Sequence, residues 1–322
     1  MRVAVTGAAG YIGGWLLTEL HGRGHEVHAQ DLVRPNEEPG QHYWATFDTF
    51  DLCTQERIRW LRAVEPEVVI HLAALYGRVW GETDMVRTAG INSGLTAVLA
   101  RDVAAQGARL LYVSSSEVYG DAANHGTVYA VRDGLKPLNM YGYSKLWGEQ
   151  AAELYCPDGL MITRLNMPYG PAVFTPRKGE KTGTSGQPGA VGYNVLHSML
   201  WEAEVGFDIV VHRGTERCLT WAGDTVRGIA DIMESGRGGI WNVNRNDDHH
   251  EVAELARKVV ALTGSKSRIS VQDPPPRVTM RKHLDNTGLL ELGWEPRVGL
   301  DEGMKLTHDY FAKFDRTGVW QG

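Results

Sequence analysis

The chain has 322 residues, of which 43% are hydrophobic and 22% charged, with a net charge of −6. That composition excludes a disordered, collagen-like or coiled-coil protein, and the acidic balance argues against a broad nucleic-acid surface. No run approaches the length of a membrane span, and the length suits two domains, or one large α/β domain with an appended lobe.

Met1–Gly7 leads straight into a strand-like run with no charged stretch before a longer apolar one, so no signal peptide is expected. Arg2–Thr6 reads as a buried strand, Tyr11–His21 as a helix, and Glu26–Gln30 as a second strand ending at Asp31. Thr54–Val64 reads as a helix with Thr54 as N-cap, Val68–Leu72 as a third strand, and Asn92–Gln106 as a helix. Leu110–Val113 is a fourth strand, Tyr141–Tyr155 a helix and Met161–Leu165 a fifth strand. Strands alternating with helices of this length imply βαβ units and a parallel sheet. The pattern changes after Gly170, where residues 171–190 are rich in Pro, Gly, Thr and Lys. Expected beyond it are a helix Tyr193–Glu204, a strand Asp208–Val211, a helix Thr225–Glu234, a strand Ile240–Val243, and helices Glu251–Thr263 and Leu300–Phe314. The expectation is an α/β protein with a Rossmann-type, doubly wound parallel sheet over residues 1–170. A smaller C-terminal α/β substrate lobe spans 171–322, some of whose segments return to the sheet.

Thr6–Gly13 (TGAAGYIG) lies between the first strand and first helix. Gly7 permits a tight turn, Gly10 close approach of backbone to a pyrophosphate, and Gly13 close packing of helix on strand. The helix N-terminus then presents free N–H groups to the phosphates. Asp31 follows about 20 residues on, where a carboxylate suits ribose hydroxyls and repels a 2′-phosphate, so NAD is favoured over NADP. Tyr141 and Lys145 share a helix face at i, i+4. A phenol is a poor base at neutral pH unless positive charge lies nearby. Hydroxyls at Ser114–Ser116 sit at the end of the fourth strand, the edge where open α/β sheets bind ligands. The three cysteines, Cys53, Cys156 and Cys218, are far apart and form neither a disulfide framework nor a thiolate zinc site. His249 and His250 read as a polar cap, and no metal site is expected.

These motifs resemble the extended short-chain dehydrogenase/reductase family, in its NAD-dependent nucleotide-sugar epimerase/dehydratase branch. Besides TGAAGYIG and Asp31, the matches are Asp51-Leu52, VVIHLAA at Val68–Ala74 and VSSSEVYG at Val113–Gly120. YGYSK at Tyr141–Lys145, Arg164 with PYGP at Pro168–Pro171, and LGWEP at Leu292–Pro296 complete them. The resemblance implies Ser115, Tyr141 and Lys145 as catalytic set. It implies Gly7, Gly10, Tyr11, Ile12, Gly13, Asp31, Asp51, Leu52 and Ala73, with Tyr141 and Lys145, around NAD. Ser115-Ser116-Glu117 is similar to the Thr-Ser-Glu of GDP-mannose-type dehydratases and UDP-glucuronate decarboxylases, where Glu117 would be an extra acid/base. Candidate substrate contacts are Ser116, Asn166, Arg217 and Arg281. Relatives usually carry Asn where this chain has Met167. The implied reaction is epimerisation, dehydration or decarboxylation of a nucleotide sugar through a 4-keto intermediate. A keto-sugar reductase and a non-catalytic NAD-binding protein are the alternatives. The resemblance also implies a cytoplasmic homodimer joined by helices Asn92–Gln106 and Tyr141–Tyr155 in a four-helix bundle.

Overall fold

The computed structural model describes residues 1–36, 42–120, 127–128, 134–174, 194–315, 318–319 and 321. Most of the Pro/Gly-rich segment after Gly170, with Arg177 and Tyr193, lies outside them. Strands β1 (Arg2–Thr6), β2 (Glu26–Asp31), β3 (Thr46–Thr49), β4 (Val68–His71) and β5 (Arg109–Ser115) join Met161–Leu165 and Gly239–Val243 in one seven-stranded sheet. Its order is Gly239–Val243, Met161–Leu165, β5, β4, β1, β2, β3, and every neighbouring pair is parallel. Val3, Val5, Val68 and Ile70 are fully buried, as a sheet covered on both faces requires.

Helices α1 (Tyr11–Gly22) and Ala222–Ser235 pack together on one face, over Val3, Val5, Leu16, Leu17, Ile229 and Met233. The opposite face is covered by α2 (Glu56–Val64), Thr96–Ala105 and Met140–Tyr155, with Leu61, Leu99, Val103 and Ala152 buried. A separate apolar cluster holds the second lobe, with Leu196, Leu200, Leu255, Val259 and Phe311 from helices Val195–Val205, Val252–Thr263 and Leu300–Phe311.

The expected elements differ from the observed ones where apolar signals are thin. β3 was not expected, because among Thr46–Thr49 only Phe47 is buried and the strand is a short edge. α2 starts at Glu56, after a turn in which the Thr54 hydroxyl donates to the Asp51 carbonyl (2.7 Å) and accepts from the Glu56 N–H (3.3 Å), so Thr54 serves the first turn from just outside the helix. The expected helix Asn92–Gln106 opens as a π-turn, Gly90–Leu95, before Thr96–Ala105. His249 and His250 lie on a short strand paired with Glu216–Cys218 rather than capping a helix. Among the described residues no group of three or more His, Cys, Asp or Glu side chains is arranged to hold a metal, and no helix is long and apolar enough to cross a membrane.

One buried network locks the helix Met140–Tyr155 onto the sheet. Glu149, 2% exposed, receives Arg164 through two bonds, Nε to Oε1 (2.9 Å) and Nη2 to Oε2 (2.6 Å), and Arg164 is fully buried. Ser114 donates to Glu149 (2.6 Å), and Arg164 also donates to the Tyr119 hydroxyl (3.0 Å). Removing one partner of such a pair strands a buried charge, at a cost of about 3–5 kcal/mol. Arg164→Met is therefore expected to lose stability on that scale in urea titration. The double variant Glu149→Gln/Arg164→Met should lose much less than the two single losses added.

Candidate active site

In a sheet of this order, ligands bind where the strand sequence reverses, between β1 and β4. The residues at that point fit a dinucleotide. Gly7 has φ +70°, and a Cβ there would stand 2.6 Å from the Ala73 nitrogen. Glycine thus lets the loops after β1 and β4 close on each other. At Gly13 a Cβ would stand 2.4 Å from the Ala8 carbonyl oxygen, so α1 can begin there only without a side chain. At Gly10 only the Gly7 carbonyl lies within reach, at 3.1 Å. Asp31 meets this loop, accepting from the Ala9 N–H (2.8 Å) and from Leu32 N–H (2.6 Å). Burial raises its pKa, and these backbone bonds oppose the rise.

The other expected cofactor residues divide. Ala73 borders Gly7, and its N–H points to the Thr6 hydroxyl at 3.5 Å. Ile12 packs on the core beneath the loop. The Tyr11 hydroxyl donates to the Gly170 carbonyl (3.1 Å), tying α1 to the second lobe. Asp51 is exposed and accepts from Cys53 N–H (2.8 Å), whereas Leu52 is buried and its carbonyl accepts from Arg57.

Ser115, Glu117, Tyr141 and Lys145 come together at the end of β5. Tyr141 is buried in the first turn of its helix, beside the Ser115 side chain. Burial, then the neighbouring Tyr76, raises its pKa far above the usual phenol value, and the neighbouring Ser115 side chain opposes this. Lys145 sits over the Tyr112 ring at 4.4 Å. Burial lowers its pKa to about 7, with the Glu149 charge acting against the shift.

Glu117 follows Ser115 in a single turn of 3-10 helix, its N–H donating to the Ser115 hydroxyl (3.2 Å). Its carboxylate accepts from Lys282 on one oxygen and from Asn139 Nδ2 on the other (2.8 Å). Burial alone would raise its pKa; Lys282, Asn139 and Arg217 together bring it down to about 2. Asn139 also caps the helix Met140–Tyr155, its side-chain oxygen accepting from Gly142 N–H (2.9 Å). Asn139 and Lys282 were absent from the expected set. An asparagine just before Met140 is a readable cap signal. Lys282 is brought in by the fold from 165 positions away, adjacent to Arg281.

Ser116 and Asn166 lie inside the protein. The Ser116 hydroxyl donates to Asn166 Oδ1 (3.2 Å), and Asn166 Nδ2 reaches the carbonyls of Cys218 and Lys282, both at 3.4 Å. They bracket the segments that present Arg217 and Lys282. Met167, at φ +48°, packs against the second-lobe cluster, so its position is apolar. Arg217 donates to the carbonyls of Glu216 (2.7 Å) and Met280 (3.0 Å), and feels the charges of Glu117 and Arg78. Arg281 is half exposed and pairs with Glu216 at 3.3 Å.

Replacing Asp31 with Ser removes a carboxylate that repels a 2′-phosphate. Cofactor titration should show NAD preferred over NADP in the native chain and a narrower preference in Asp31→Ser. A native preference for NADP would remove Asp31 from this role.

Comparison with known proteins agrees with this geometry. A UDP-glucuronic acid decarboxylase 1 of Xenopus tropicalis is 27% identical over 97% of this chain and 72% of its own. The structure of a Thermus thermophilus UDP-glucose 4-epimerase in complex with NAD superposes with a TM-score of 0.78 at 25% identity, covering 97% of this chain and 99% of that one. A Thermotoga maritima UDP-glucose 4-epimerase bound to UDP-glucose gives 0.82 at 24% identity, over 97% and 99%. The description of the NAD dependent epimerase/dehydratase family matches residues 3–243, and with the glycine loop, the parallel sheet and the Ser115–Tyr141–Lys145 cluster in place, the chain belongs to that family.

Proposed function

We propose that the chain is an NAD-dependent enzyme that modifies a nucleotide-activated sugar through a 4-keto intermediate. The observation that carries this reading is the placement of Tyr141 beside Ser115 at the open edge of the sheet, one helical turn from Lys145 and next to the ionised Glu117. The decarboxylase and epimerase names among its relatives support it. Gly7, Gly10, Gly13 and Asp31 would hold NAD, which when bound supplies the hydride acceptor.

Tyr141 rests as a phenol in the buried site and becomes a competent base when positive charge is added beside it, as oxidised nicotinamide and Lys145 provide. Ser115 holds the C4 oxygen while Tyr141 takes its proton. The 4-keto group acidifies C5 or labilises a carboxylate there, and Glu117 moves the proton of that second step. Arg217 and Arg78, which act electrostatically on each other and on Lys282, would receive the diphosphate. Arg281, turned to Glu216, is the weaker candidate for that contact. The lobe 171–322 would close over the sugar nucleotide. A keto-sugar reductase would run the same residues in reverse, and a non-catalytic binder has no need of the complete set.

Homodimerisation belongs to the same proposal. Val86 is 86% exposed on the helix Met85–Ala89 and Leu154 is 71% exposed on Met140–Tyr155, with Trp147 and Tyr155 also exposed. Leu154→Glu should convert a dimer to monomer in sedimentation velocity; a native monomer would remove the dimer.

Tyr141→Phe should keep fold and NAD binding and lose roughly 10²–10⁴-fold in turnover. A variant within threefold of the native rate would take Tyr141 out of the role.

Glu117→Gln should permit C4 oxidation and block the second step, so that enzyme-bound NADH accumulates on mixing with substrate. Normal turnover to a product of unchanged mass would leave a plain 4-epimerase. Lys282, Arg217, Asn139, Tyr76 and Tyr141 are the polar and charged groups acting on Glu117. Because its pKa is depressed, Glu117 is ionised throughout the working range, and the charge is lost only as pH falls toward about 2. Lys282→Met removes the main cation and leaves the burial, so the acidic limb of the pH–rate profile should move to higher pH, with Lys282→Arg restoring it.

A further inference from the structure

β4 ends at His71, and the chain crosses the open edge of the sheet before entering the helix Arg78–Thr83. At Leu75 that crossing is held by a buried side chain. Asn92, 1% exposed, accepts from Leu75 N–H (2.8 Å) and donates to the Leu75 carbonyl (2.9 Å) and to the Ser144 hydroxyl (2.9 Å). Ser144 lies between Tyr141 and Lys145 on the catalytic helix. One amide therefore clamps the loop after β4 to the element that carries the chemistry.

Tyr76 is the next residue on that loop, so its place relative to Tyr141 is set. The two rings meet edge to face, with centroids 5.7 Å apart and planes at 78°, a favoured aromatic geometry. Glu117 is close enough to act on the Tyr76 phenol. Burial first, and then the Glu117 charge, pushes its pKa to about 12, so it keeps its proton as a donor across the neutral range. Yet Tyr76 as a residue is 39% exposed, and its hydroxyl meets no hydrogen-bond partner among the described residues. A ring serving only to buttress Tyr141 needs no hydroxyl. An exposed phenol bonded to no described residue, beside Tyr141 and an ionised glutamate, is free to bond a polar ligand that displaces water there.

We propose that Tyr76 is a sugar-recognition residue: its hydroxyl hydrogen-bonds a ring hydroxyl of the bound sugar close to the carbon that Tyr141 and Ser115 address. This rests on the nucleotide-sugar reading and adds to it the residue that distinguishes a sugar nucleotide from the bare nucleotide. A protein group built to bond a substrate hydroxyl discriminates through that bond, because it is left unpaired when the hydroxyl is missing.

The test uses the NAD-loaded full chain and four probes: UDP, UDP-glucose, dTDP and dTDP-glucose. Tyr76→Phe removes one oxygen and keeps the ring against Tyr141. Titration calorimetry should show the sugar nucleotide bound about 3- to 10-fold more weakly, the range expected for one neutral hydrogen bond, with the matching free diphosphate bound within twofold of the native chain. Where turnover is measurable, the loss should appear mainly in KM. Equal binding of the sugar nucleotide by both proteins overturns the proposal. So does an equal loss for sugar nucleotide and free diphosphate, which would place the effect outside the sugar. If the native chain binds none of the four probes, the nucleotide-sugar reading itself fails and the proposal with it.

Discussion

The arrangement depends most on the buried pair of Glu149 and Arg164. It is costly to bury two charges, and such a pair is weak evidence for stability, since an apolar pair of similar volume often does as well. Its contribution here is geometric. Arg164 belongs to the strand Met161–Leu165, Glu149 to the helix Met140–Tyr155, and Ser114 to β5, so three elements converge on one carboxylate. The chain of bonds continues from Arg164 through the Tyr119 hydroxyl to Asn242 (2.7 Å), and from Asn242 to the Asp285 carbonyl (2.8 Å). The helix can therefore neither slide nor rotate without leaving a charge unpaired. Tyr141 and Lys145 are two turns and one turn before Glu149, which fixes both against Ser115.

A second carboxylate is organised on the opposite principle. Glu117 lies at the active site and draws its neighbours from distant parts of the chain: Asn139 from the helix cap, Lys282 and Arg217 from the second lobe. Where Glu149 is sealed by a partner on the next strand, Glu117 is held by a lysine, a flexible point charge that exchanges partners more readily than a bidentate guanidinium. Each is a lone acid among cations, but one is locked in place and the other is held poised.

The legible part of the site was the part written in contiguous motifs. The glycine loop, Asp31, Ser115, Tyr141 and Lys145 are specified by local backbone needs and helical spacing, and the structure sets Asp31 against the loop and Tyr141 beside Ser115. β3 escaped notice because an edge strand with one buried residue, Phe47, has almost no alternation to read. Lys282 escaped because an isolated basic residue beside Arg281 has no period; only the pairing of distant segments shows which of the two turns inward. Tyr76 was hidden for a third reason, since its loop carries no motif of its own and acquires a position from Asn92, whose role is visible only in three dimensions. Asn166 shows the converse. A polar residue in a family motif looked like a ligand contact, yet its amide is fully engaged in joining two lobe segments to the sheet.

That joining is what lets two lobes with separate apolar cores act as one site. α1 begins at the glycine loop and reaches across the divide with two aromatic side chains. Tyr11 donates to Gly170 and packs edge-on against His197 at 5.6 Å, and Trp15 donates to the Pro171 carbonyl (2.9 Å) and packs against Trp221 at 5.5 Å. His197 is buried, its pKa is lowered by that burial to about 3, and it accepts from Gly170 N–H (3.2 Å), so it is a neutral acceptor at any working pH. The seam is therefore insensitive to protonation and made of rings, which bury large area with few rotatable bonds. The helix that follows the glycine loop is thereby tied to the strand end from which the second lobe departs. The start of α1 is thus bonded to Gly170 and Pro171, and the neighbouring Pro168–Tyr169 pairs with Thr220–Trp221, which follow closely on Arg217.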